Sequence, residues 1–233
     1  MLTLPQIRQE LPAVQRIAYL NTGTNGPLPQ AAATAMAAVA ARELTEGRIH
    51  MAAWMALIED KQRLREDFAA LMQAPPASVA LTHNTTEGVN LALWGLNWQA
   101  GDEIITTSLE HPGVTVPLAL LRQRFGVTVR FVEIGLGQAE RTLDALAAAF
   151  TRRTRLVALS HVSYASGAVF PLAEIVELAH RRGAWVLVDA AQSLGAIPVD
   201  VTALGVDFYA CSGQKWLCGP EGVGALYVHP ERL

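Results

Sequence analysis

Short apolar runs alternate with longer segments of helical period through most of the chain. Runs 78–81, 103–106, 127–132, 155–159, 185–188, 206–209 and 224–228 read as strands, and segments 87–96, 113–125, 143–150 and 172–182 as helices. Pro171 favours the start of the last helix, and the helix at 113–125 is read through its internal Pro117. The run Trp185–Val188 is almost wholly apolar, which predicts a strand buried on both faces. Ahead of this region, the first twenty residues predict a short helix and an extended arm, and residues 21–29 a turn-rich loop. An alanine-rich helix then runs from Pro29 to Arg42. A second helix, stopped by Pro75 and Pro76, carries Trp54, Leu57, Ile58, Leu64, Phe68 and Leu71 as an apolar stripe expected to lie in the core.

Strand and helix alternating over about 150 residues predict an α/β fold, a mostly parallel sheet with helices on both faces. In such sheets the ligand crevice lies beyond the carboxyl ends of the strands, so the polar residues that follow strands carry the candidate chemistry. Composition agrees. Hydrophobic residues make up 51% of the chain and charged residues 17%, which excludes disorder and collagen.

Eighteen basic residues against 21 acidic ones give a net charge of −3, with no positive stripe for nucleic acid, although one phosphate needs only local donors. Cys211 and Cys218 form neither a disulfide framework nor a metal-binding spacing, which predicts a reducing, cytoplasmic setting. No leader pattern opens the chain, and although 17–41 carries no formal charge, Asn21, Gly23, Asn25, Gly26, Pro27 and Pro29 argue against a membrane span.

Three clusters follow strands. Asp189 ends the buried strand, with Gln192 three residues on; a desolvated carboxylate there needs a cation or donor, or else caps its own loop. Ser212-Gly213-Gln214-Lys215-Trp216 follows the next strand, where Lys215 is either a nucleophile of lowered pKa or a surface lysine packed on Trp216. Thr85 and Thr86 open a helix after His83-Asn84 and form either an anion site or a plain helix cap. Neither a dinucleotide fingerprint nor a phosphate-loop motif of the Gly-Lys-Ser/Thr type occurs.

The order Thr85-Thr86-Glu87, Glu110-His111, Asp189 to Gln192, and Ser212 to Lys215 with Gly219-Pro220 resembles the class V aminotransferase group of pyridoxal-phosphate enzymes. The strings Tyr19-Leu20-Asn21, Gly26-Pro27-Leu28-Pro29 and Lys215-Trp216-Leu217-Cys218-Gly219-Pro220 look most like its cysteine/cystine C–S lyases and isopenicillin N epimerase-like members. The resemblance implies the large domain of the aspartate aminotransferase-like fold, with an arm and substrate-side loop over 1–30 and a cofactor-binding domain over 31–233. A smaller C-terminal domain and an arginine for the substrate carboxylate would lie outside these residues.

It further implies pyridoxal 5'-phosphate as cofactor, with Lys215 as Schiff-base lysine and proton shuttle and Asp189 on the pyridinium nitrogen. His111 would stack on the ring and Gln192 would contact the phenolic oxygen, while Thr85, Thr86 and Ser212 hold the phosphate. Where relatives have histidine before the lysine, Gln214 can donate an amide to the phosphate. Where desulfurases often have asparagine after His-Val, Ser163 stands, as a cofactor contact or a turn residue. His83 is a further candidate at the phosphate loop, and Cys218 reads as a packed thiol.

The implied activity is β-elimination on cysteine or cystine by a homodimer acting on small amino acids. The alternatives are desulfurase, aminotransferase or epimerase chemistry, or a cofactor-binding protein without turnover.

Overall fold

The computed structural model describes residues 3–233, and the alternation in sequence becomes one of strands and helices. In chain order the elements are α1 (Leu4–Glu10), α2 (Gln30–Glu46), α3 (Met51–Met72), β1 (Val79–Thr82), α4 (Thr85–Gly95), β2 (Glu103–Thr107), α5 (Pro112–Phe125) and β3 (Thr128–Val132). They continue with α6 (Ala139–Ala149), β4 (Thr154–Ser160), α7 (Leu172–Arg181), β5 (Trp185–Asp189), α8 (Val201–Leu204), β6 (Phe208–Ser212) and β7 (Gly224–Val228). The strands form one sheet in the order β1-β7-β6-β5-β4-β2-β3, parallel except that β7 runs against both of its neighbours.

Successive residues of each central strand point to opposite faces, and the core divides accordingly. Ile105, Val157, Leu159, Val186, Val188 and Tyr209 meet Phe68 and Met72 of α3, Leu146 of α6 and Ile175 and Val176 of α7. Ile104, Leu156, Ala158, Leu187 and Ala210 meet Leu93 of α4 and Leu118 and Leu121 of α5 on the other face. Each of these fully buried leucines contributes about 2 kcal/mol by removal from water.

The helix before β3 covers one face and the helices after β3 and β4 cover the other, while β4 returns to pair with β2 on the side away from β3. The loops leaving β2 and β4 therefore diverge and open a crevice at the carboxyl edge of the sheet.

Two expectations need correction. The stripe on α3 is core only at its end: Phe68 is buried, whereas Trp54, Leu57, Ile58 and Leu71 are exposed, Trp54 at 59%. Only the last turns of α3 lie on the sheet, so helical period marked the apolar face without marking what would cover it. The sixth strand is shifted by two residues, because Val206 and Asp207 precede it and the Asp207 carboxylate accepts the Val186 N–H at 2.8 Å. Among the described residues, no helix is long and apolar enough to cross a membrane.

Candidate active site

The ends of β1, β2, β4, β5 and β6 and the loops after them meet at the carboxyl edge with the loop that holds Gly23 and Thr24. Asp189 is the last residue of β5, opposite Ser160 of β4 and Ala210 of β6. Its carboxylate is buried and accepts the Ala191 N–H at 2.9 Å. Burial raises its pKa; that hydrogen bond and the nearby charges of Lys215 and His111 pull the other way. Lys215 stands in the turn after β6, where burial lowers the pKa of its ammonium against the pull of Asp189. An acid and an amine thus share a cavity of about 530 Å³, each pushed towards its neutral form.

The opposite wall is the start of α4. Asn84 caps it, accepting the Glu87 N–H at 2.9 Å, which leaves the Thr85 and Thr86 amides at the first helical positions without intrahelical partners. Gly88 lets this helix close on the sheet, since a Cβ there would lie 2.8 Å from the Ala210 Cβ. Thr85 Oγ1, Ser212 Oγ and Gln214 Oε1 are buried without any hydrogen-bond partner, and all three residues line the cavity. Buried polar groups rarely go unpaired in a native fold. Two hydroxyls, one side-chain amide that a half-turn presents as NH2, and a helix N-terminus together suit a phosphate dianion. The donor set therefore fits the phosphate end of pyridoxal phosphate, and Asp189 fits a cationic ring nitrogen.

His111 precedes α5 and caps it, its Nδ1 accepting the Gly113 N–H at 3.0 Å, so the neutral ring carries its proton on Nε2. Tyr164 meets it edge-on, with ring centroids 5.1 Å apart. Below lies Glu110, buried, accepting the Thr107 and Ser160 hydroxyls at 2.6 Å each. Desolvation pushes its pKa up to about 7, over the opposing effect of both hydroxyls and with a further rise from Asp189.

A group raised in the folded state contributes stability at low pH that is lost as pH rises through the folded value. Ionising Glu110 should therefore cost the unliganded protein about 3 kcal/mol between pH 4.5 and 8. Glu110→Gln should flatten that part of a melting-temperature profile; an unchanged slope would refute the assignment.

Eight of the nine sequence-predicted residues line this one cavity: Thr85, Thr86, His111, Asp189, Gln192, Ser212, Gln214 and Lys215. Ser163 does not. Its Oγ accepts the Ala165 and Ser166 N–H groups at 3.3 Å, a local turn, and it lines an adjoining cavity of about 510 Å³ instead. Gln192 lines both cavities, with its amide already bonded to Gly23 and Trp216. His83 pairs with Glu87 at 2.8 Å, away from the lining. Tyr164, Glu110 and Trp216 had no assigned role; the available signal for Glu110 was its place beside His111 in the loop after β2.

The profile of the aminotransferase class-V family matches residues 18–233. A probable cysteine desulfurase of Methanothermobacter thermautotrophicus is 35% identical over 225 residues, 95% of this chain and 55% of that protein. An Escherichia coli cysteine desulfurase is 41% identical over 174 residues, covering 73% of this chain and 42% of its own length. Among solved structures, the cystine C–S lyase C-DES with its product cysteine persulfide superposes at TM-score 0.92 and 38% identity, covering 96% of this chain and 60% of that one. The E. coli cysteine desulfurase CsdA superposes at 0.88 and 32%, covering 100% and 59%. The chain thus spans about half the length of these curated relatives.

Proposed function

Since the chain belongs to the class-V aminotransferase family, we propose that it binds pyridoxal 5'-phosphate and cleaves the Cβ–S bond of cysteine or cystine by β-elimination. The observation that carries the cofactor reading is the set of partnerless buried groups, Thr85 Oγ1, Ser212 Oγ and Gln214 Oε1, lining one cavity with Lys215 and Asp189; the likeness to the cystine C–S lyase C-DES supports the choice of reaction. When bound, the cofactor supplies a pyridinium ring that stabilises negative charge at the substrate α-carbon.

Each residue then has a physical task. Thr85, Thr86, Ser212 and Gln214 bind the phosphate. Asp189, a carboxylate costly to bury alone, holds the proton on the ring nitrogen, and that cation is the partner it otherwise lacks. His111 covers the ring and Gln192 donates to the phenolic oxygen. Lys215 Nζ anchors the cofactor, and burial keeps it a readier base than a free lysine. It takes the α-proton; sulfur departs with the Cβ–S bonding pair, and the same ammonium returns a proton to it.

The curated relatives support sulfur transfer to a cysteine as a second reading. Within this chain the Cys211 thiol is buried and pushed up to about 12, and burial raises that of Cys218 as well, so neither is an activated acceptor. Product analysis with cysteine and cystine separates the two: elimination releases pyruvate and ammonia, whereas sulfur transfer releases alanine. Neither product, and no visible band on adding pyridoxal phosphate, would overturn the proposal.

A homodimer belongs to the same reading, supported by the exposed Met36, Val39, Met51, Trp54 and Met55 of α2 and α3.

Thr85→Val and Ser212→Ala should each weaken cofactor affinity about tenfold, the worth of a hydrogen bond to a charged group. Because neither hydroxyl is bonded within the fold, the unliganded variants should melt no lower than the parent. A fluorescence titration and a thermal melt read the two effects; equal affinity would remove these hydroxyls from the phosphate site.

A further inference from the structure

Gln192 sits between two groups whose hydrogen-bonding sense cannot be reversed. The Trp216 indole Nε1–H donates to Gln192 Oε1 at 2.7 Å, and Gln192 Nε2 donates to the Gly23 carbonyl at 2.9 Å. An indole N–H never accepts and a peptide carbonyl never donates, so only one of the two amide orientations satisfies both. The reverse orientation sets two donors and two acceptors against each other. One amide hydrogen is spent on Gly23, and the second remains for an acceptor in the cavities that Gln192 lines, one of which holds Asp189 and Lys215. The fit at Gly23 is close: a Cβ there would stand 3.0 Å from Gln192 Oε1.

We infer that Trp216 is a positioning residue that fixes the amide of Gln192, so that this side chain offers an N–H, and never its carbonyl, to an oxygen of the bound cofactor. The inference rests on the proposed binding of pyridoxal phosphate, which supplies that oxygen. Trp216 follows Lys215 directly, so the loop that carries the base also sets the hydrogen-bonding sense of the neighbouring loop after β5.

The test is a pH titration of the visible band of the cofactor-loaded protein. Removing a donor from an anionic oxygen makes that oxygen harder to leave unprotonated. Gln192→Ala should raise the midpoint by about one pH unit. Trp216→Phe keeps an aromatic ring, loses the five-membered ring with its N–H, and should raise the midpoint in the same direction by less. The decisive comparison is the double variant, which should match Gln192→Ala alone, because Trp216 acts only through Gln192. Additive shifts, or a midpoint unmoved in Trp216→Phe while Gln192→Ala moves it, would overturn the inference and leave cofactor binding standing. A parent protein without a visible band would instead overturn the cofactor reading, and the inference with it.

Discussion

Lys215→Ala should fold, retain noncovalent affinity for pyridoxal phosphate, and lose turnover by about 10⁴-fold or more, the range for removing a general base with its covalent anchor. The fold has little to lose. Among the described residues Nζ makes no hydrogen bond, and the turn is held by the backbone, with the Lys215 carbonyl accepting the Cys218 N–H at 3.0 Å. A second tie is the Gly26 N–H donating to the Gln214 carbonyl at 2.7 Å, which joins the loop over 21–29 to the lysine turn. Alanine preserves both. What disappears is the amine whose pKa burial lowers. The visible band of the loaded protein should vanish while the thermal melt is kept. A variant with parental turnover would remove Lys215 from the chemistry.

Asp189→Asn should separate stability from activity. Folding places this carboxylate in a site where burial raises its pKa, so the favourable contribution of its neutral form is lost as pH rises through the folded value. Asparagine is neutral at every pH and keeps the acceptor for the Ala191 N–H. The unliganded variant should therefore melt at or above the parent at pH 8, with a smaller difference at pH 4. Turnover should fall about 10²- to 10³-fold, because the amide can no longer hold a proton on the ring nitrogen as an ion pair; losses of that size follow removal of one electrostatic group at a reacting centre. Melting curves on the unliganded protein and rates on the loaded protein read the two effects separately. A variant both less stable and fully active would reverse the assignment, making Asp189 a loop cap and nothing more.

Asp189 and Lys215 were legible because Asp189 closes a buried strand and Lys215 stands in the loop three residues beyond the next one, and the loop after a parallel strand is defined locally. The pair Thr85 and Thr86 was legible for the same reason, with Asn84 marking the helix start. Ser163 was equally well placed in sequence, yet its hydroxyl accepts the two amides that follow it, a choice made by the turn itself. Gln192 shows a different limit. Its partners, Gly23 and Trp216, stand 169 and 24 residues away, and no local rule connects three such positions. The outer half of α3 is a third case, in which the apolar period was read correctly and its burial was not, because period reports a face and burial needs a partner.

By itself the sequence determined the order of strands and helices, the parallel α/β class and the residues standing at the strand ends, because apolar period and strand termination are local properties of a chain. Only the tertiary structure decided that eight of those residues share one cavity, that three buried polar groups there have no partner within the fold, and that Glu110 titrates beneath them. Those facts depend on desolvation and on hydrogen bonds between distant segments, which exist only once the sheet has brought its loops to one edge.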